Sequence, residues 1–264
     1  MIYLRSISRR QEQTDLNYFP FSLPAIDSLK KLEFTSSVTL FVGENGSGKS
    51  TLLEGIAAGF GSISIGSQDI EHDPSMAVAR TLGKQLKFVK NRHPKRGFFL
   101  RAEDFFGFTK RIENAGHELD ELEQEYAVSL SGYGRDLAMG MAQGQKRALD
   151  DKYGKEPDAF SHGENLLNIL NTRLVPGGLY LFDEPETPLS AIRQLTLISI
   201  LKDMVEKDCQ FIIATHSPIL MAFPEALIMS FDEDHISQIE FDEIENVTVT
   251  KAFLNDPESF LRRL

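Results

Sequence analysis

The sequence predicts an α/β chain with a mainly parallel sheet, a small antiparallel β portion and an inserted helical lobe. Three observations carry that prediction. Short apolar runs such as Val38–Val42, Leu179–Phe182 and Phe211–Ala214 recur between stretches of helical length, the pattern of strands buried on both faces. The first of these runs delivers a glycine-rich loop, Gly43-Glu44-Asn45-Gly46-Ser47-Gly48-Lys49-Ser50, that opens directly into a helix. The second ends in two adjacent carboxylates, Asp183 and Glu184.

Taken in order, Ile2, Leu4 and Ile7 predict an opening strand. Phe19-Pro20-Phe21-Ser22-Leu23-Pro24 is a connection that its prolines keep from being helical. Phe34–Val42 predicts the strand before the loop, and a helix follows from Ser50. Gly59–Pro74 is loose, and Ser75–Lys90 predicts a helix with Ser75 as its N-cap, broken by His93-Pro94. Gly97–Arg101 predicts a short buried strand. From Asp104 to Pro157 the texture turns polar and helical, then glycine-rich, without the sustained heptads of a long coiled coil. We expect a single domain over residues 1–264, with a helical lobe at about 104–160 inserted in it. The α/β pattern then resumes. Glu164–Leu174 predicts a helix, Pro176-Gly177-Gly178 a turn, and Leu189–Lys207 a long amphipathic helix after the Leu179–Phe182 strand. The tail from Leu227 predicts further strands, one at Gln238–Phe241, and a last helix containing Phe260-Leu261.

Composition narrows the function classes. The chain has 264 residues, 41% of them hydrophobic, and a single cysteine, Cys209. A disulfide framework is excluded, which fits a reducing cytoplasm, and Cys209 reads as a small core residue at the start of a buried strand. No apolar run approaches the ~18 residues of a membrane span, so no membrane insertion is expected. Net charge is −11, unevenly placed. Lys84–Arg101 holds seven basic and no acidic residues, whereas Glu225–Glu258 holds ten acidic residues and one lysine. That balance argues against wholesale coating of nucleic acid. The basic strip reads as a solvated helix face and turn, or as one local contact to phosphate.

The glycine-rich loop has the G-x-x-x-x-G-K-S spacing in the strand–loop–helix context of a phosphate-binding loop. Its glycines allow backbone dihedrals that other residues resist, and the first N–H groups of the helix point at an anion. Gly43, Glu44, Asn45, Gly46, Ser47, Gly48, Lys49, Ser50 and Thr51 are therefore expected around a nucleoside triphosphate. Lys49 would reach the β- and γ-phosphates and the Ser50 hydroxyl would hold Mg²⁺. Asp183 and Glu184 stand at the C-terminal edge of the sheet, where open α/β sheets bind ligands. Asp183 is placed for the Mg²⁺ shell and Glu184 for the role of general base. Thr215-His216-Ser217-Pro218 ends the next strand, so His216 is expected to contact the γ-phosphate, the alternative being a structural histidine.

With these residues in view, the chain resembles the ABC-type ATPases. More narrowly, it is similar to stand-alone ATPases related to the SMC and DNA-repair head domains. The likeness rests on the phosphate loop, Asp183-Glu184-Pro185-Glu186 and Ala214-Thr215-His216-Ser217-Pro218. It extends to Phe19-Pro20-Phe21, Gly97–Glu103, Ser161–Glu164 and Phe253–Pro257. The resemblance implies ATP and Mg²⁺ as ligands, hydrolysis to ADP and phosphate, and an ATP-dependent homodimer. In that dimer each phosphate loop is closed by the partner's signature segment.

Here that segment is Phe160-Ser161-His162-Gly163-Glu164, with Glu164 in place of the usual glutamine. Ser161 and Gly163 supply the needed hydroxyl and N–H, and Ser161 can equally cap its helix with Glu164 as box partner. Two further positions depart from the family. Glu103 stands nearest to where a glutamine is expected, and Leu189-Ser190 replaces the usual Leu-Asp. Phe19 and Phe21 are candidates for the adenine contact, although each reads first as core.

Three functions compete. The first is an ATP-hydrolysing molecular switch that drives a nucleic-acid or effector-protein partner, DNA being the nucleic acid considered. The others are the nucleotide-binding subunit of a membrane transporter and a slow ATP-gated scaffold.

Overall fold

The computed structural model describes residues 1–10, 18–64, 74–153 and 162–262. In chain order the elements are β1 (Leu4–Arg9), α1 (Pro24–Asp27), β2 (Leu32–Glu33), β3 (Val38–Val42), α2 (Lys49–Phe60) and β4 (Ile63–Ser64). Then come α3 (Ala77–Gln85), β5 (Leu86–Lys90), β6 (Arg96–Arg101), α4 (Ala102–Ser129), α5 (Gly132–Tyr153) and α6 (His162–Arg173). The chain closes with β7 (Gly178–Asp183), α7 (Ala191–Glu206), β8 (Gln210–Ala214), α8 (Pro218–Met221), β9 (Leu227–Ser230), β10 (Ser237–Gln238), α9 (Glu245–Asn255) and α10 (Pro257–Leu261).

Seven strands form the main sheet in the order β10-β9-β3-β8-β7-β6-β4, parallel throughout except for β10 against β9. Both faces are covered, so successive side chains alternate between two apolar cores. Tyr180, Phe182, Phe211 and Ile213 face one core, with Leu166, Leu170, Leu197 and Leu201 from α6 and α7. Leu179, Leu181, Ile212 and Ala214 face the other, with Leu52, Leu53 and Ile56 of α2. The strands therefore read as unbroken apolar runs while keeping a period of two.

A second sheet, β2-β1-β5, is antiparallel. Buried Gln210 joins it to the first. Its Oε1 accepts from the N–H groups of Tyr3 and Leu4 at 2.7 and 2.9 Å, and its Nε2 donates to Leu4 O at 3.0 Å. A side-chain amide thus satisfies backbone groups where the ladder does not.

Three expectations are corrected. Ser75–Lys90 is not one helix. Ser75 lies in a short 3₁₀ turn, Met76 is the N-cap of α3, and Leu86–Lys90 is a strand paired with β1. Phe34–Val42 is not continuous either, because Leu32–Glu33 pairs with β1 and the strand before the loop starts at Val38. In the tail, the strand ends at Gln238, and Phe241–Glu243 is a 3₁₀ turn. Helices α4 and α5 lie antiparallel, tied by Lys146 to Asp120 and by Gln143 Nε2 to Glu123 Oε1 at 2.6 Å. Cys209 is fully buried, and its thiol donates to Val175 O.

Strands β6 and β7 approach so closely that a Cβ on Gly97 would sit 2.1 Å from Leu179 O. Backbone cannot yield as a side-chain tip can. Gly97→Ala is therefore expected to cost about 2 kcal/mol or more, as overpacking against fixed atoms does. Urea denaturation measures it, and an unchanged midpoint would mean that these strands can separate freely.

Candidate active site

The sheet order sets three strand ends side by side. Strand β3 ends in the glycine-rich loop, its neighbour β8 in Thr215-His216, and the next strand, β7, in Asp183-Glu184. Gly43, Gly46 and Gly48 have φ of 138°, 83° and 105°, dihedrals that a β-carbon resists. Gly48 is the N-cap of α2, so the helix begins at the buried Lys49. The Lys49 ammonium is held within the loop, 2.8 Å from Gly43 O, 2.6 Å from Glu44 O and 3.5 Å from Ser47 Oγ. Burial lowers its pKa, while Glu184, Asp232, Asp183 and Glu186 act in the opposite direction.

Ser50 Oγ donates to Asp183 Oδ1 at 2.9 Å. Asp183 is 9% exposed, and burial pushes its pKa up to about 7, against the Ser50 hydrogen bond. Glu54 and Glu184 raise it further, and Arg101 lowers it. Arg101 faces Asp183 across the β6–β7 ladder and pairs with Glu54 at 3.3 Å. A hydroxyl oxygen beside a carboxylate oxygen is a pair of hard donors suited to a hard divalent cation, which takes few protein ligands when phosphates and water supply the rest. Ser50 and Asp183 fit Mg²⁺ on that ground.

Glu184 has φ of +49°, and its N–H donates to Ala214 O at 2.9 Å. Its Oε1 lies 3.4 Å from His216 Nε2, with both side chains partly exposed. A cleft of about 530 Å³ opens here, lined by Gly43, Glu44, Asn45, His216, Asp232 and Asn246 among others. The structure thus brings together every expected residue of the loop, Asp183, Glu184 and His216. Thr51 follows on the first turn of α2.

Other expectations fall differently. Ser161 lies outside the described residues. Gly163, on the first turn of α6, packs so tightly that a Cβ would lie 2.6 Å from Pro188 O and 3.1 Å from Arg193 Cδ. Glu164 pairs with Arg193 Nη2 at 2.7 Å. Ser190, in place of the usual aspartate, is the N-cap of α7 and accepts from Arg193 N. Glu103 lies on the first turn of α4, directly after β6. Phe21 is core, but Phe19 is 56% exposed and is not.

Two residues escaped sequence reasoning. Asp232 accepts from Glu44 N at 2.7 Å and from Ser230 Oγ at 3.1 Å, fixing the entry of the loop. Its signal was its place just past another buried strand, β9. Asn246 donates to the His216 carbonyl, and no local pattern marks it. Glu186, the last residue of the Asp183-Glu184-Pro185-Glu186 motif, accepts from the His216 N–H, a role its motif does not show.

The fold and site define a phosphate-loop α/β nucleotide-binding architecture. Residues 17–93, which include the loop, match the family model described as an AAA domain. No curated protein is significantly similar to the chain. Among solved structures, the chain is similar to a putative metal-chelate type ABC transporter in an inward-facing conformation, at 17% identity and a TM-score of 0.49, covering 96% of this chain and 90% of that one. It is similar to the Smc head domain of Pyrococcus furiosus bound to the C-terminal domain of ScpA, at 12% identity and a TM-score of 0.46, covering 98% and 100%. The SMC head domain of Thermotoga maritima aligns at 15% identity and a TM-score of 0.41, covering 90% and 100%. Among the described residues, no helix is long and apolar enough to cross a membrane.

Asp183 also makes a pH prediction. A free aspartate ionises near 3.9, whereas buried Asp183 keeps its proton up to about 7. Between those values the folded chain binds this proton more tightly than the unfolded chain does. Its contribution to stability therefore falls as pH rises through that window and is level above it. Asp183→Asn should gain on the metal-free wild type in melting temperature as pH goes from about 5 to about 8. Parallel pH curves for the two proteins would show that Asp183 ionises normally.

Proposed function

We propose that this chain is an ATP-binding and ATP-hydrolysing molecular switch that works as a head-to-tail dimer. The observation that carries the reading is the convergence of the Lys49 loop, the Ser50–Asp183 pair and the Glu184–His216 pair at one sheet edge. In this reading Lys49 leaves its loop carbonyls for the β- and γ-phosphates, while backbone N–H groups at the start of α2 meet the phosphate oxygens. Ser50 and Asp183 hold Mg²⁺, which when bound neutralises charge on the phosphates. Glu184 accepts the proton of the attacking water, and His216 orients the carboxylate and contacts the γ-phosphate.

Glu184 and His216 are open to bulk water in the single chain, and hydrolysis gains from a site that excludes it. A second copy is the proposed closure, offering Ser161 and Gly163. Such a switch would act on DNA or on an effector-protein partner.

Lys49→Ala is expected to abolish triphosphate binding in a titration with a fluorescent ATP analogue, with the fold intact by circular dichroism. Binding near the wild-type level would remove the assignment. Glu184→Gln keeps the shape but accepts no proton, so turnover should fall ~10²-fold or more while binding persists. ATP-bound dimers should then accumulate by light scattering. Normal hydrolysis in that variant would place the base elsewhere. Mixing Lys49→Ala with Ser161→Ala should restore partial activity, because one composite site is intact. No rescue, together with activity independent of protein concentration, would exclude the shared site.

A further inference from the structure

His216 is gripped by its backbone from two directions. Its N–H donates to Glu186 Oε1 at 2.7 Å, and its carbonyl accepts from Asn246 Nδ2 at 2.8 Å. The same Glu186 oxygen accepts from Thr215 Oγ1 at 2.7 Å and Ser217 N at 3.1 Å, so one atom gathers donors from three successive residues. Asn246 is itself oriented, since its Oδ1 accepts from Thr250 Oγ1 one turn further along α9.

Glu186 follows Glu184 by two residues, with Pro185 between them. Glu184 in turn is held to β8 through its N–H on Ala214 O at 2.9 Å. The contacts therefore close a ring, from Glu184 through Pro185 to Glu186, across to the His216 backbone, and through the imidazole back to Glu184 Oε1 at 3.4 Å. In such a ring the His216 backbone is fixed relative to the Glu184 backbone, and the imidazole lies against the carboxylate it faces.

We propose that Glu186 and Asn246 are positioning residues for hydrolysis. They set the His216 imidazole against the Glu184 carboxylate without touching the nucleotide, and through Asn246 they make helix α9 part of the catalytic frame. The inference rests on the reading of Glu184 and His216 given above. Its physical basis is that reacting groups displaced by about 1 Å can lose as much as 10²-fold in rate. Glu186 works through Oε1 alone. Its Oε2 is buried and has no hydrogen-bond partner among the described residues. A glutamine at this position keeps the acceptor and can do the same work.

The test is steady-state hydrolysis of Mg-ATP by the full chain, alongside titration with a fluorescent ATP analogue. Glu186→Ala should lower kcat about tenfold or more while affinity stays within about twofold, because only positioning is lost. Glu186→Gln should return most of the rate. In a His216→Ala background, Glu186→Ala should lower kcat no further, since it acts only through His216. A full additional loss there, or an affinity loss that matches the loss in kcat, overturns the proposal. Asn246 is exposed on α9, so Asn246→Ala carries the same test if Glu186→Ala does not fold. His216→Ala hydrolysing at the wild-type rate is the separate outcome that removes the reading of His216 itself, and the ring with it.

Discussion

Buried charge at the C-terminal edge of the sheet is the constraint on which the rest of the site depends. Lys49 and Asp183 are both withdrawn from water, and each is pushed toward its neutral form by burial. Several carboxylates crowd the same edge, and they favour the Lys49 cation while opposing ionisation of Asp183. Isolated buried charges are costly, so a site of this kind is completed by a ligand that brings charges of both signs. A triphosphate with a divalent cation is such a ligand. In the function proposed above, the anion would answer Lys49 and the helix start, and the cation would answer Asp183.

That edge exists because the two apolar cores leave the strands no freedom of register. A slip by one residue would move Tyr180 and Phe182 from one core to the other and turn Asp183 to the opposite face. The ladder aligns Arg101 with Asp183 and Asp183 with Ala214, so the residues that continue each strand emerge at one level. The Ser50–Asp183 hydrogen bond then spans 133 residues of sequence and ties the first half of the chain to the second.

What was legible in the sequence was local chemistry. The loop could be read because its glycines, lysine and serine are consecutive, and Asp183-Glu184 because they end an apolar run. The antiparallel portion was expected, but one of its strands was misassigned. Leu82, Leu86 and Val89 fall at helical spacing, while Leu86 and Phe88 also alternate as a strand does. Tertiary pairing with β1 decides between the two, placing Phe88 against Phe60 at 6.2 Å between ring centroids. Asp232 and Asn246, and the role of Glu186, were illegible for a related reason. Each acts on a backbone group far away in sequence, and a backbone group carries no side-chain signature at the receiving end.

The segment from Asp183 to Ser190 shows how much of the site is set by backbone. Glu184 occupies the left-handed region, which costs a non-glycine residue on the order of 1 kcal/mol and persists only where surroundings over-determine it. Here they do. Glu184 N is bound to Ala214 O, Thr187 N to Glu184 O and Leu189 N to Glu186 O. Pro188 O presses on Gly163, and Ser190 caps the helix that follows. This succession of turns lets two carboxylates separated by one proline serve opposite ends. Glu184 lies beside the His216 imidazole, and Glu186 turns inward to the backbone that carries it. The same turns touch α6 through Gly163 and Arg193. The start of α6 thus packs directly on the turns through which Glu184 leaves the sheet.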